Sequence, residues 1–368
     1  MPQTMQPSLS LGKRALFWSI LVAIPVFCAA LMVLGYYLYA YLTLPAGYCG
    51  SFARLDGQAG WVLKPATESC VIGYTPDGAE AFRASVHTDE NGGRVPIKGA
   101  EAPKGGLLAL GDSWTFGYGI EGTDTFAARL EAEHGLPTAL FASPAYSGAQ
   151  ALLLGQRAVD FVRPRGLIYL ELGFWERAVC SGSSEPRFIL KPCYWADGSG
   201  AARLTLPPEG LVETAARFGL RPGGMVGAGE KTLTYFMISR PASQAMMLLT
   251  RAGMLSGFAD DFRAVGSTET LAAIKRAHFE NMIRLSQDAG IPLILIDPAE
   301  AYADAKAQTT SDLSKLVYLD RAVWNEEVAI PMAALPALEA NVPHDGHYGP
   351  GTHRLIAAMI ARHWKESR

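Results

Sequence analysis

Two short segments, far apart in the chain, carry residue types that could do nucleophilic chemistry. The first is 107–119, LLALGDSWTFGYG: an apolar run, a glycine, an acid, a serine and two further glycines. The second is Asp345-Gly346-His347, inside VPHDGHYGPGTHR. A serine hydroxyl needs a base within hydrogen-bond reach and a third group to orient that base. With one residue between them, Asp345 and His347 can touch on a tight loop. The carboxylate can hold the imidazole Nδ1–H and leave Nε2 facing a serine. Each segment alone has an ordinary reading, Gly-Asp-Ser as a turn and Asp-Gly-His as a solvated polar loop. Together, at the two ends of one α/β region, they read as a nucleophile and its base. The other histidines in predicted elements, His87, His134, His278 and His363, stand singly with no motif around them.

The elements around these segments are those such a site needs. Residues 107–112 form a short apolar run ended by a turn signal, as a buried parallel strand does. A helix start signal and helical periodicity follow over 123–134. Ser113 therefore falls in a loop at the carboxyl end of a strand, the edge where open α/β sheets bind ligands. Glycine permits the sharp turn that exposes a hydroxyl there. A strand at 137–144, a helix at 148–161 and a strand at 166–173 continue the alternation. A strong amphipathic helix at 268–289, a strand at 291–298, a short last strand at 327–332 (EVAIPM) and a closing helix at 353–365 complete it, with Thr352 as N-cap of the last. This alternation predicts a three-layer, flavodoxin-like α/β domain on a parallel sheet with right-handed crossovers, over 106–368. An irregular insertion at about 178–266 begins with a β-hairpin around 197–200. Its Met- and Leu-rich stretches read as core, a lid or a membrane-resting surface.

The N-terminus has a different character. After a polar tail over 1–14, the stretch 15–44 carries no charge and exceeds the roughly 20 residues that cross a bilayer. Tyr36, Tyr37, Tyr39 and Tyr41 cluster at its far end as an interfacial belt would. Pro25 is tolerated in such a helix. A cleaved signal peptide would have a shorter apolar region and a small-residue site after it. The reading is therefore a single uncleaved transmembrane helix, with Lys13 and Arg14 holding the N-terminus in the cytoplasm of a bacterial inner membrane and the bulk of the chain in the periplasm. Residues 45–105 read as a small strand-rich leader that packs on the main domain and sets its height above the membrane.

Charge and cysteines fit that side. The net charge is −3 over 368 residues, with no basic stripe, so nucleic acid is excluded as a partner. Cys28 lies in the span, while Cys49 with Cys70 and Cys180 with Cys193 form two close pairs. An oxidising compartment makes both plausible disulfides, with free thiols as the alternative. No spacing fits a metal site, and no cofactor is implied.

The two ends together resemble the SGNH (GDSL-type) hydrolases, over roughly 60–365. The first block is Gly111-Asp112-Ser113-Trp114-Thr115-Phe116-Gly117 and the last is Asp345-Gly346-His347 before the closing helix. The close Asp-x-His spacing, with GWVLKP and TDENGGR in the leader, is similar to membrane-linked members and alginate O-acetylation proteins. The resemblance implies Ser113 as nucleophile, His347 as base and Asp345 as its orienter, with the Ser113 amide as one oxyanion donor. The family's second donor, a glycine amide, falls at Ala145, which implies a less open turn. Its third, an asparagine, is missing from Gly173-Phe174-Trp175-Glu176. The Trp175 indole or the Arg177 guanidinium would have to substitute. Asp112, Glu176 and Arg177 stand as supporting candidates, and Glu176 with Arg177 reads equally as an ion pair. The activity implied is an O-acetyl esterase or acyltransferase on an envelope or exported polysaccharide, working with a membrane acyltransferase or export partner. A lipid or small-ester hydrolase, and a non-catalytic glycan-binding or scaffold subunit, are the alternatives.

Overall fold

The computed structural model describes residues 11–43, 47–173, 178, 191–196, 201–207, 209–210 and 268–367. Phe174, Trp175, Glu176, Arg177, Cys180 and most of the expected insertion lie outside the described residues.

The chain begins with helix α1 (Leu11–Thr43). Its window Trp18–Tyr36 has a mean hydropathy of 2.3 and none of it is buried, so it is long and apolar enough to cross a membrane. A hairpin of β1 (Ala53–Asp56) and β2 (Gly60–Leu63) follows, then β3 (Glu68–Tyr74), β4 (Glu80–Thr88) and β5 (Arg94–Val95). The α/β alternation starts at β6 (Leu107–Gly111), followed by the one-turn α2 (Ser113–Phe116), α3 (Phe126–His134), β7 (Thr138–Ala142), α4 (Gly148–Val162) and β8 (Gly166–Leu170). Strands β9 (Cys193–Ala196) and β10 (Ala202–Thr205) pair antiparallel as the hairpin expected there, with the turn residues 197–200 outside the described residues. Then come α5 (Thr268–Asp288), β11 (Leu293–Ile296), α6 (Ala303–Gln308), β12 (Leu316–Leu319), α7 (Arg321–Trp324), α8 (Ile330–Ala333), α9 (Ala337–Ala340) and α10 (Pro350–Glu366).

Eight strands share one sheet in the order β12-β11-β8-β6-β7-β5-β4-β3. The first five are mutually parallel, and β5, β4 and β3 extend the sheet antiparallel at one edge. The fold is thus a mixed α/β architecture on a mostly parallel central sheet. Strands β6, β7, β8 and β11 are buried along their whole length. That is why they read as unbroken apolar runs: parallel strands are covered on both faces. The leader's β3–β5 belong to this sheet, and the stretch at 47–50 pairs along β3 through the Tyr48–Val71 bridge.

The order fixes where a ligand can sit. The chain passes from β6 to β7 through α3, then back across β6 to β8 through α4. Right-handed crossovers put these two helices on opposite faces of the sheet. Consistently, α3 packs on α10 while α4 packs on α5. The loops leaving β6 and β8 therefore diverge, which makes the gap between them the topological switch point.

Three expectations are corrected. EVAIPM is helical: a π-turn over Asn325–Ala329 runs into α8, which carries Pro331 near its start. The last strand is instead β12, an edge strand with partly exposed residues, whose short run LVYL has no buried-strand signature. Helix α10 starts at Pro350 with Gly349 as N-cap, and Thr352 lies inside it, donating its hydroxyl to the Ala340 carbonyl at 2.7 Å. Of the cysteines, Cys49 and Cys70 are bonded to each other. Cys193 is disulfide-bonded, and Cys180 lies outside the described residues.

Candidate active site

Ser113 is the first residue of α2, immediately past the end of β6. Asp112 caps that turn, its Oδ1 accepting the Trp114 amide at 3.0 Å. Gly117 closes it in the left-handed conformation (φ 78°), which glycine adopts without steric cost. Gly111 is required for a different reason: a Cβ there would collide with the Thr115 hydroxyl. The tight turn leaves Ser113 buried to 5% exposure but with its hydroxyl engaged from the far end of the chain.

That partner is His347, whose Nε2 lies 2.8 Å from Ser113 Oγ, across 234 residues of sequence. His347 Nδ1 is hydrogen-bonded to Asp345 Oδ1. With Nδ1–H donated to the carboxylate, Nε2 carries a lone pair and can accept a hydrogen bond from the Ser113 hydroxyl. The loop that presents the pair is pinned at its ends. Val342 N–H donates to the His347 carbonyl at 2.8 Å, Gly349 N–H donates to the Ala340 carbonyl at 2.9 Å, and Asn341 bridges to Tyr348. Gly346, at φ 88°, makes the turn between acid and base.

Aromatic rings enclose His347. Trp114 and Tyr118 lie 4.6 and 4.9 Å from the His347 ring, centroid to centroid, and Tyr348 packs edge-on to Trp114 at 4.3 Å. Burial, then Tyr48 and the Asp345 charge, raises the Tyr118 hydroxyl well above its ordinary range. It therefore stays a neutral phenol. The third histidine of the C-terminal cluster, His353, is not at the site. It is fully buried, stacks on Phe126, and accepts the Phe126 amide on Nδ1 at 3.1 Å, so it serves the start of α3. Burial and then the Arg94 charge push it down to about 3, so it is a neutral structural imidazole.

Ala145 follows β7, and β7 is paired with β6 as far as Gly111 and Ala142, so its loop lies beside that of Ser113. The expected less open turn is corrected here. Ala145 itself takes the left-handed conformation, φ 63°, that a glycine would favour. A non-glycine residue pays of order 1–2 kcal/mol to sit there. The amides of Ser113 and Ala145 have no acceptor among the described residues. At the third position Gly173 is left-handed (φ 85°), while its neighbours Trp175, Glu176 and Arg177 lie outside the described residues.

Two groups near the site carry no obvious sequence signal. Arg94, from TDENGGR, is buried with 4% exposure. Its Nη1 donates to the Phe116 carbonyl and, at 2.7 Å, to that of Gly117; Nη2 donates to Ile120 at 2.7 Å and Ser85 at 3.3 Å. The guanidinium also lies 4.3 Å over the Phe116 ring. It thereby holds the chain that leaves α2. Burial pushes it down to about 9, opposed by the Glu121 charge. The second group is Glu171, buried just past β8, whose carboxylate accepts the Gly173 amide at 2.7 Å and the hydroxyls of Tyr169 at 2.8 Å and Tyr302 at 3.2 Å. No cluster of three or more metal-ligating side chains occurs among the described residues.

No family model matches the sequence, and no curated protein matches it. Solved structures that align with it include a carbohydrate esterase whose active site is described as displaying divergent catalytic and non-catalytic binding functions. It is 11% identical, with a TM-score of 0.33, covering 73% of this chain and 67% of that one. Another is a carbohydrate esterase family 2 enzyme with a carbohydrate-binding domain, from Corynascus thermopiles (Myceliophthora fergusii). It is 11% identical, with a TM-score of 0.34, covering 79% and 72%. At that distance the reaction has to be read from the site's own geometry.

Proposed function

We propose that the chain is a membrane-anchored serine acyl-ester enzyme of the SGNH type, with Ser113 as nucleophile, His347 as general base and Asp345 as its orienter. The observation that carries this reading is the continuous contact from Asp345 through both ring nitrogens of His347 to Ser113 Oγ. A serine with that geometry does two-step acyl transfer. His347 Nε2 takes the Ser113 proton as Oγ bonds to the ester carbonyl carbon. The tetrahedral oxyanion is met by the amides of Ser113 and Ala145, which have no other acceptor among the described residues. Collapse expels the alcohol, which takes the proton from His347, and leaves an acyl-serine. A water or a sugar hydroxyl, deprotonated by the same imidazole, then attacks the acyl carbon and restores Ser113.

The substrate class follows from the family resemblance and the anchor: an O-acetylated polysaccharide of the cell envelope or in export, on the periplasmic side. The chain from α1 to the sheet is short. Only four residues separate Thr43 from Tyr48, which already pairs with the edge strand. An acyl donor or a glycan delivered at the membrane by an acyltransferase or export partner would therefore be within reach.

A fluorescent fluorophosphonate tests the nucleophile. Wild-type protein is expected to label and Ser113→Ala to remain dark, with acetate released from O-acetylated glycans by the wild type alone. Absence of labelling in folded wild type would instead favour a non-catalytic glycan-binding subunit. Rates that grow with acyl-chain length would favour lipid or small esters.

A further inference from the structure

Tyr118 touches both partners of the Ser113–His347 contact. Its amide donates to the Ser113 carbonyl at 3.0 Å, and its ring centroid lies 4.9 Å from that of His347. The backbone on either side of it is fixed. Arg94 holds the carbonyls of Gly117 and Ile120, both at 2.7 Å. Gly119, at φ 82°, presses on the loop that carries His347: a Cβ there would fall 2.6 Å from Val342 Cγ1. Val342 in turn donates its amide to the His347 carbonyl at 2.8 Å. What these contacts leave open is the direction of the Tyr118 ring, which turns about its own side-chain torsions.

That direction matters because His347 stands on a surface loop. The side chains of His347 and Asp345 are 21% and 27% exposed. Two hydrogen bonds hold the ring nitrogens, to Asp345 and to Ser113, but resist rocking about the line between them only weakly. The rings of Trp114, at 4.6 Å, and Tyr118 oppose that rocking. The tolerance is small, since a misplacement of about 1 Å can cost on the order of 100-fold in rate.

The Tyr118 hydroxyl is held by a hydrogen bond to the Tyr48 side chain. Burial keeps that phenol protonated, so Tyr118 donates and the Tyr48 oxygen accepts. Tyr48 comes from the stretch that follows α1. It bridges to Val71 of β3, flanked by the Ile72 amide on the Gly47 carbonyl at 2.8 Å and the Cys49 amide on the Cys70 carbonyl at 3.1 Å. So short a pairing at a sheet edge frays easily. The Cys49–Cys70 disulfide makes it covalent at the residue next to Tyr48. Side chains alternate along an extended segment, so the disulfide takes one side and Tyr48 the other. There Tyr48 is half-buried and meets Phe52 edge-on at 5.3 Å.

We propose that Tyr48 and Tyr118 are positioning residues for His347: Tyr48, clamped to β3 by the neighbouring disulfide, holds the Tyr118 hydroxyl and so keeps the Tyr118 ring against the imidazole. The proposal rests on the serine-enzyme reading above. The alignment of His347 with Ser113 is then set in part by the segment that enters from the apolar helix.

The test is a double-mutant cycle on full-length protein in detergent, read in kcat for p-nitrophenyl acetate and in the rate of fluorophosphonate labelling. Tyr48→Phe and Tyr118→Phe each remove one hydroxyl and keep the ring. Each is expected to lower both rates about 5-fold, the worth of one neutral hydrogen bond, with KM little changed. The double variant Tyr48→Phe/Tyr118→Phe is again expected to lose about 5-fold, because both changes remove the same contact. Cys49→Ser/Cys70→Ser should slow the wild type and leave the rates of Tyr48→Phe as they are. Losses that multiply to about 25-fold in the double variant, or single variants within about 2-fold of wild type, would overturn the proposal. A folded Cys49→Ser/Cys70→Ser protein with wild-type rates would overturn it as well. Where the cysteine variant does not fold, the tyrosine cycle decides alone. A merely structural tyrosine pair would lower the melting temperature and leave kcat of the folded protein unchanged. Labelling of wild type separates this from failure of the underlying reading: labelled wild type with unaffected tyrosine variants removes the positioning role alone, whereas folded wild type that does not label removes both.

Discussion

Replacing Asp345 by Asn is the sharpest probe of the base. In the native site the carboxylate can only accept, so it forces the His347 proton onto Nδ1 and leaves Nε2 bare toward Ser113. An asparagine amide can instead donate to Nδ1. The ring proton then moves to Nε2 and points at the serine hydroxyl, which has nowhere to send its own proton. Where the acid is fully enclosed, such a change removes roughly 10⁴-fold of rate. Here the Asp345 side chain is 27% exposed. Water can restore the right tautomer part of the time, so we expect kcat to fall about 10²- to 10³-fold, which is about 3–4 kcal/mol of transition-state stabilisation. KM should change little, because Asp345 stands behind the base. The assay is steady-state p-nitrophenyl acetate hydrolysis together with the second-order rate of fluorophosphonate labelling, with thermal melting to show that the fold is retained. A folded Asp345→Asn protein within 10-fold of wild type in both rates would refute the orienting role.

Three further outcomes follow from the geometry. Ala145→Gly should raise stability by about 1 kcal/mol in denaturant unfolding, because it relieves a left-handed alanine while keeping the amide; a loss of stability would show that the turn is unstrained. Arg94→Lys keeps the charge but cannot reach the Phe116, Gly117 and Ile120 carbonyls together, so it should cost about 2–3 kcal/mol and slow labelling of Ser113; an unchanged labelling rate would remove Arg94 from the positioning of the turn. Stability should fall on acidification, because His278 and His353 are held neutral to about pH 3 when folded but each binds a proton near pH 6.5 when unfolded. Their contribution is present above pH 6.5 and is lost as pH falls. Glu171 has the opposite sign: folded, it holds a proton up to about pH 7 that the unfolded chain loses above 4.5, so its contribution is lost as pH rises. Between about pH 6 and 5 the three groups sum to a loss of about 1.4 kcal/mol per pH unit. Glu171→Gln should steepen the measured slope by about 1.4 kcal/mol per unit; parallel slopes would refute the raised Glu171.

What the sequence made legible was what depends on local pattern. Strands covered on both faces, such as LLALG and LILI, must be apolar throughout, so they stand out from the helices between them. Gly111 to Gly117 and Asp345 to His347 each carry their chemistry within a few residues, so their roles could be suggested before their contact was seen. Edge and irregular elements were harder. LVYL at 316–319 is only partly buried and gives no buried-strand signal, while EVAIPM has an apolar run that in fact lines a π-turn. The Ala145 substitution suggested a tighter turn, because sequence shows the loss of a glycine but not the backbone strain that the surroundings impose on its replacement. Arg94 and Glu171 were opaque for a further reason. Arg94 acts on carbonyls 22–26 residues away, and Glu171 collects donors from Tyr169, Gly173 and Tyr302, with His278 arriving from another layer. Such sockets are made by packing, and a lone histidine or glutamate has no spacing to betray it.

The leader gains a larger role from these contacts than that of a spacer. Two of the loops around Ser113 are tied to it. Arg94 of β5 holds the carbonyls that leave α2. Tyr146 and Gln150, just beyond Ala145, donate to the carbonyls of Trp61 and Ala59 in the β1–β2 hairpin, both at 2.8 Å. Phe116 stacks on Phe52, and Phe52 meets Tyr48 edge-on. The Cys49–Cys70 disulfide closes that segment onto β3. A short helical turn such as α2 cannot hold itself, since nucleating a single turn is unfavourable. Its geometry has to be imposed from outside, and the imposing groups come from the segment that joins the sheet to the apolar helix. Placement of Ser113 and attachment to α1 are therefore built from the same residues. A chain cut after the leader would lose the carbonyl clamp and both side-chain ties at once, whatever became of the sheet itself.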